Sequence, residues 1–430
     1  MTPTGGILVA ATLLLALLGG ARTLQVRARL HPEVARKCMH VGVGLIALSF
    51  PWLLREAWAV WTVCAVAVFT LVSLRVVRTL RDNVSGVLLS VERTSLGDVY
   101  FLGAVGALFT LAGRDTLLYV IPLLVLTFAD AVAALIGVRY GQRRFVAADG
   151  VKSVEGSAAF ALAAFFATHV PLLLFTDVGR AETLVLSALV GVLVMLLEAV
   201  AWEGLDNLFI PLGTLVVLRG HLSVPLDVQV LHLLLALALT ALVFAARRAL
   251  PLTAGALIGA AFIVYVCGTV GGPAWMYAPI TVAAAWGVLR VMDPRAPGEY
   301  GVQAVGSLAA PALLWLLSAR YLDRPQDAFP FTVAWAAQLA CLWTFVYAPG
   351  PGRLPSPLPT VLSGALLLLP YVVMSGADRA DWARGAAGVL AVAAAVLTCA
   401  ALRTRAPLPL STQVTVAGLA SLVGFLPLAP

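Results

Sequence analysis

The stretch TLLYVIPLLVLTFADAVAALIGV, residues 116–138, runs for 23 residues with a single charged side chain, Asp130. As a helix it is long enough to cross the roughly 30 Å hydrocarbon core of a bilayer, where unpaired backbone amides are too costly to expose. A carboxylate inside such a run is itself expensive and needs a reason to be there.

Outward from this stretch the pattern repeats. Apolar runs precede it at 5–21, 38–54, 57–74 and 98–112. Six follow at 156–175, 183–202, 208–226, 229–246, 252–268 and 273–291. Five more occupy 301–319, 330–348, 358–376, 385–402 and 411–429. The chain of 430 residues is 61% hydrophobic and 11% charged, against about 25% charged in a soluble domain. These runs predict an all-α, polytopic integral membrane protein with roughly 14–16 transmembrane helices. The shortest-reading pieces, 98–112 and 208–226, would be tilted or re-entrant if they do not span.

The first run lacks a basic stretch before it. Its basic residues follow it, at Arg22, Arg27, Arg29, Arg36 and Lys37, which fits a first span with its N-terminus outside better than a cleaved leader. Counting loops alternately from there puts Arg55, Arg114, Arg180, Arg219, Arg320, Arg324, Arg379 and Arg384 outside. The other 20 of the 28 basic residues fall inside. Such a positive-inside bias predicts a multi-pass protein, in the inner membrane if the chain is bacterial. The net charge of +7 then reflects topology and contact with anionic membrane lipids, not nucleic acid. The five cysteines are scattered, with no CxxC pair, and predict buried apolar residues rather than a disulfide framework or zinc site.

Between about 31 and 211, polar residues gather in four places: 33–40, 92–98, 130–155 and 198–207. On this topology all four sit at or near cytoplasmic ends of spans. The chain carries 26 arginines and two lysines, Lys37 and Lys152, and both lysines fall inside these clusters. A lysine retained in so arginine-rich a chain suggests a need for a compact ammonium, which a planar guanidinium replaces poorly.

In order, the clusters read EVARKCMH (33–40), ERTSLGDVYF (92–101), FADAVAALIGVRYGQRRF (128–145), VKSVEGS (151–157) and EAVAWEGLDNLFIPL (198–212). This set resembles the phytol kinase and dolichol kinase family, within the wider group of integral-membrane cytidylyltransferase-like enzymes, over roughly residues 25–220. D-A-x-A-A-x-x-G-x-R-Y-G followed by K-S-x-E-G-S and E-(x5)-G-L-D-N-L-x-x-P-L carries most of the specificity. The resemblance implies phosphorylation of a long-chain isoprenoid alcohol, with CTP or another nucleoside triphosphate as donor and Mg²⁺ or another divalent cation. Two departures stand out: VAADG (146–150) in the loop before Lys152, and WEG (202–204) where relatives often carry a Ser-Pro turn.

The residue types suit those roles, because phosphoryl transfer needs charge neutralisation, a bridging metal and a group to position the attacking hydroxyl. Asp130, Asp206, Asn207 and Glu198 are the candidate metal ligands, since Mg²⁺ favours one or two carboxylates plus phosphate oxygens. Alternatively Asp130 pairs with a helix arginine, and Asp206 only caps the next helix. Lys152, Ser153, Glu155 and Gly156 precede a helix N-terminus that suits phosphate, although S-x-E-G also reads as a capping device. Arg139, Arg143 and Arg144 are candidate nucleotide contacts. His40 is either a base or positioner for the hydroxyl, or an interfacial hydrogen-bonded histidine. Arg36, Lys37, Arg93 and Asp98 would shape the substrate mouth. Lys152, Asp130, Asp206 and His40 form the expected catalytic set, facing the cytoplasm.

Residues 1–228 are thus expected to form the catalytic domain and 229–430 an accessory or degenerate membrane domain. The second part only weakly resembles the phytyl-phosphate kinase membrane family, at 252–272 and 300–315, and its acids sit in short loops. Two other classes stay open: a CDP-lipid-forming cytidylyltransferase, whose final motif usually carries Gly-Gly-x-x-Asp-Arg-x-Asp where this chain has GLDN, and a lipid transporter. The expected partners are the isoprenoid alcohol, a nucleoside triphosphate and membrane lipids; a homo-oligomer is compatible with the sequence.

Overall fold

The computed structural model describes residues 2–28, 32–76, 96–147, 150–249, 253–292, 301–347, 356–402 and 409–425. Among the described residues each apolar run falls on one or two helices. Nine helices among the described residues are long and apolar enough to cross a bilayer, and four more apolar helices are shorter: Lys37–Leu53, Ala57–Ser73, Gly97–Ala112 and Leu410–Phe425. Asp206–His221, Tyr277–Met292 and Ala328–Tyr347 complete the set. The all-α polytopic reading is what the chain adopts. The run expected at 208–226 is cut at His221, where a turn leads through Pro225 into Leu226–Ala249.

The chain divides into two compact units, Met1–Leu237 and Ala238–Pro430, with the boundary inside Leu226–Ala249. In the first unit, α1 (Pro3–Ala28), α2 (Pro32–Leu48) and α3 (Ala57–Val76) precede α4 (Gly97–Ala112). Next comes α5 (Thr116–Tyr140), a single span interrupted by a π-turn at Val125–Ala129. A hairpin of β1 (Arg144–Ala147) and β2 (Gly150–Ser153) follows, then α6 (Val154–Phe175), α7 (Arg180–Val200) and α8 (Asp206–His221). Phe160 and Ala164 of α6, Leu186, Val190 and Leu193 of α7, and Leu123, Val125 and Leu126 of α5 are fully enclosed. Gly191 lets α7 approach α6 closely, since a Cβ there would stand 2.8 Å from the Ala161 carbonyl oxygen. Tyr119 reaches from α5 to donate to the Ala47 carbonyl at 2.8 Å, fixing α2 against α5. The outward faces carry Phe69, Leu174 and Phe175 in the open, as lipid-facing helices do.

The second unit is built around Ala328–Tyr347, whose residues Phe331, Val333, Ala334, Ala336, Ala337, Leu339, Ala340 and Cys341 are almost wholly enclosed. Helices Val302–Tyr321, Leu358–Ser375, Arg379–Leu402 and Leu410–Ser421 pack around it. The cysteines are free thiols, four buried and Cys38 exposed, with Cys341 Sγ 3.7 Å from Cys399 Sγ.

Candidate active site

The site is built where α2 crosses the π-turn of α5. A π-turn widens one helical turn and changes which face the following residues present, and Asp130 is the first residue beyond it. A Cβ at Gly44 would overlap Thr127 Oγ1 and stand 2.6 Å from Thr127 Cγ2, so glycine is what allows this approach. Lys37, His40 and Gly44, spaced by three and four, share one face of α2. That face delivers Lys37 Nζ to Asp130 Oδ2 at 2.6 Å. His40 Nε2 stands 3.6 Å from the same oxygen and 3.5 Å from the Leu126 carbonyl oxygen. Its ring meets Phe101 of α4 edge-on at 5.5 Å. The Lys37 and Asp130 side chains are only 13% and 17% exposed, so salt screens their attraction little.

The hairpin supplies the second cation. Its strands pair antiparallel, with Phe145 opposite Lys152. Ser153 caps α6, its Oγ accepting from the Gly156 amide at 3.1 Å. The Glu155 carboxylate turns back to accept the amides of Gln142 at 3.1 Å and Arg143 at 3.2 Å. The Val154 amide donates to the Arg143 carbonyl at 2.9 Å. Both feet of the hairpin are therefore tied to the start of α6. Gly141 belongs to the same knot: a Cβ there would overlap the Gly137 carbonyl oxygen and lie 2.7 Å from Ser153 Oγ.

From this anchored strand Lys152 reaches the last turn of α7. Its ammonium donates to Glu198 Oε1 at 2.7 Å and also to the Glu198 main-chain carbonyl. Beyond α7 the chain reverses through Glu203 and Gly204, at φ of 52° and 87°, and Asp206 opens α8. Asp206 is electrostatically coupled to Asp130, Lys152 and Lys37, and Glu198 to Asp130 and Asp206. Residues from five elements, α2, α5, β2, α7 and α8, thus share one partly buried locus. Two ammonium groups face three carboxylates there. Asp206 makes no ion pair among the described residues, although both ammonium groups act on it electrostatically.

The geometry bears on several alternatives left open by the sequence. Among the described residues Asp130 pairs with Lys37. Leu205 holds the N-cap position of α8 and Asp206 stands in its first turn. Ser153 does cap α6, whereas Glu155 ties the start of the hairpin to it. Arg139, Arg143 and Arg144 stay exposed outside the charged locus, with Arg139 lying over the Tyr140 ring at 5.6 Å. Asp98 is exposed in the first turn of α4, one turn before Phe101. Arg93 and the side chain of Arg36 lie outside the described residues.

Among the described residues no three His, Cys, Asp or Glu side chains are grouped so as to enclose an ion. A hard cation such as Mg²⁺ does not need that many, since one or two carboxylates with phosphate oxygens suffice. Asp206 and Asp130, which are electrostatically coupled, are carboxylates of that type.

The sequence did not disclose Gly44, Thr127, Phe101 or the Leu126 carbonyl. Gly44 alone left a trace, in its spacing from Lys37 and His40.

The phytol kinase of Synechocystis sp. is 33% identical to this chain over 212 residues, which cover 48% of this chain and 87% of that protein. No family model matches the chain, and no solved structure matches it.

Proposed function

The chain belongs, through that shared half, to the phytol kinase family, and on this premise we propose that it transfers the terminal phosphoryl group of CTP to the hydroxyl of an isoprenoid alcohol at the cytoplasmic membrane face. The observation that carries the reading is the meeting of Lys37, Asp130, Lys152, Glu198 and Asp206 in one locus at the ends of apolar spans. A lipid alcohol arrives there with its tail among helices, and a nucleotide arrives from water.

In the proposed reaction the alcohol oxygen forms a bond to the γ-phosphorus as the β–γ bridging bond breaks. The nucleoside diphosphate leaves with that bond's electron pair. His40 takes the hydroxyl proton, and Asp130, 3.6 Å from Nε2, stabilises the imidazolium that results. Lys37 holds Asp130 in place through their 2.6 Å contact. Lys152, whose side chain is partly buried beside Glu198, offsets phosphate charge where solvent screens it little. Asp206 with Asn207 and Asp130 would hold Mg²⁺, which neutralises charge on the phosphate oxygens. The exposed Arg143 and Arg144, carried on the anchored hairpin, would meet the nucleotide as it enters.

The test is to incubate purified protein with labelled CTP, ATP or UTP and a panel of phytol, farnesol, geranylgeraniol, undecaprenol and diacylglycerol. The expected product is an isoprenyl monophosphate made with CTP. A CDP-lipid product would establish a cytidylyltransferase instead, and no lipid product from any pair would reject the proposal.

A further inference from the structure

Glu198 was expected among the metal ligands, yet its surroundings describe another task. Helix α7 ends at Val200, and Ala201 leaves it in an extended conformation, with φ −65° and ψ 146°. The carbonyls of a last helical turn lack amide partners within the helix and carry the negative end of its dipole. The Glu198 carbonyl is one of these, and it accepts from Lys152 Nζ. The carboxylate of the same residue accepts from the same ammonium at 2.7 Å. One residue thereby supplies two acceptors of different origin, one from its side chain and one from the end of its helix.

An ammonium has three N–H donors. With two held by Glu198, one remains for an incoming ligand. A guanidinium would spread the same two bonds over a flat fork and present its remaining donors elsewhere, which accounts for lysine at 152 in a chain with 26 arginines and two lysines. The unusual Trp202–Glu203–Gly204 turn fits this arrangement. The extended Ala201 ends α7 where the Glu198 carbonyl is left available, and the left-handed Glu203 and Gly204 turn the chain into α8, which Asp206 opens.

We infer that Glu198 is a positioning residue for phosphoryl transfer: with its carboxylate and its main-chain carbonyl it clamps the Lys152 ammonium so that the third N–H faces the phosphate of the bound nucleotide, and it does not ligate the metal. This rests on the kinase reading for its purpose, but the clamp is measurable without turnover.

Lys37 and Lys152 are the only lysines, so a trace amount of an amine-acetylating reagent, followed by peptide mass spectrometry, reads each one separately in the intact chain in nanodiscs. An ammonium that loses a charged hydrogen-bond acceptor is held less firmly and meets the reagent more readily. Glu198→Gln should accelerate acetylation of Lys152 several-fold and leave Lys37 unchanged. Asp130→Asn should do the reverse. In turnover, Glu198→Gln should lower kcat with CTP while the midpoint of the Mg²⁺ titration stays within twofold of wild type. Unchanged acetylation of Lys152 in Glu198→Gln would overturn the clamp, as would a tenfold shift of the Mg²⁺ midpoint. If the wild-type chain transfers no phosphoryl group to any lipid alcohol, the kinase reading fails, and the acetylation result still decides the clamp.

Discussion

Replacing Gly44 with alanine tests the crossing that assembles the site. The new Cβ would stand 2.6 Å from Thr127 Cγ2, so α2 and the π-turn must separate by about 0.8 Å to regain an ordinary carbon contact. Overpacking of this kind costs about 1–3 kcal/mol. The same retreat carries Lys37 Nζ from 2.6 Å of Asp130 Oδ2 toward the limit of a hydrogen bond, and hydrogen bonds to charged groups contribute about 1.5–3 kcal/mol. Since about 1.4 kcal/mol corresponds to tenfold in rate, turnover in Gly44→Ala should fall by roughly ten- to a hundredfold. The apparent Tm in detergent should fall with it, and Lys37 should become more reactive to acetylation while Lys152 does not. Thr127→Ala removes both nearest atoms and leaves a Cβ contact of 3.0 Å, so the double variant should recover much of the loss. Strong non-additivity of that sign is the signature of direct contact. Wild-type turnover in Gly44→Ala, or a double variant as impaired as the two single effects combined, would refute the reasoning.

Other outcomes follow from the same geometry. Gly141→Ala puts a Cβ against the Gly137 carbonyl and 2.7 Å from Ser153 Oγ, so it should abolish measurable transfer while α-helical circular dichroism is retained; full activity would show that the hairpin anchor is dispensable. Chelation with EDTA should stop transfer and added Mg²⁺ restore it, without a fall in Tm, because among the described residues no three-ligand metal group supports the fold; unfolding on chelation would contradict this. In the second unit, Gln338 is 1% exposed with neither amide atom hydrogen-bonded. An unmatched buried polar group costs about 1–3 kcal/mol, so Gln338→Leu should keep or raise Tm; a marked drop would mean that the amide has a partner.

The helices were legible because hydrophobic runs of bilayer length admit few other structures. The participants in the site were legible for a related reason. Asp130, Lys37, Lys152 and Glu198 are costly in an apolar chain, and their persistence marked them. What the residues could not disclose is the pairing. Lys37 with Asp130 and Lys152 with Glu198 depend on how α2 crosses α5 and on where α7 stops. Those are set by a π-turn, a glycine contact and a left-handed turn, none of which has a hydrophobic period. Glu155 shows the same limit: its spacing fits a phosphate site or a cap, and only the structure shows it holding the Gln142 and Arg143 amides.

The central claim is that Lys152 and Asp206 act in one phosphoryl-transfer pocket. Its most direct measurement is the transfer of the γ-phosphate of labelled CTP to phytol by the wild-type chain, Lys152→Arg and Asp206→Asn, each purified in equal yield with matching circular dichroism. The account predicts phytyl monophosphate from the wild type and a loss of at least a hundredfold (about 2.7 kcal/mol) in each variant. Turnover at the wild-type level in both variants would contradict it.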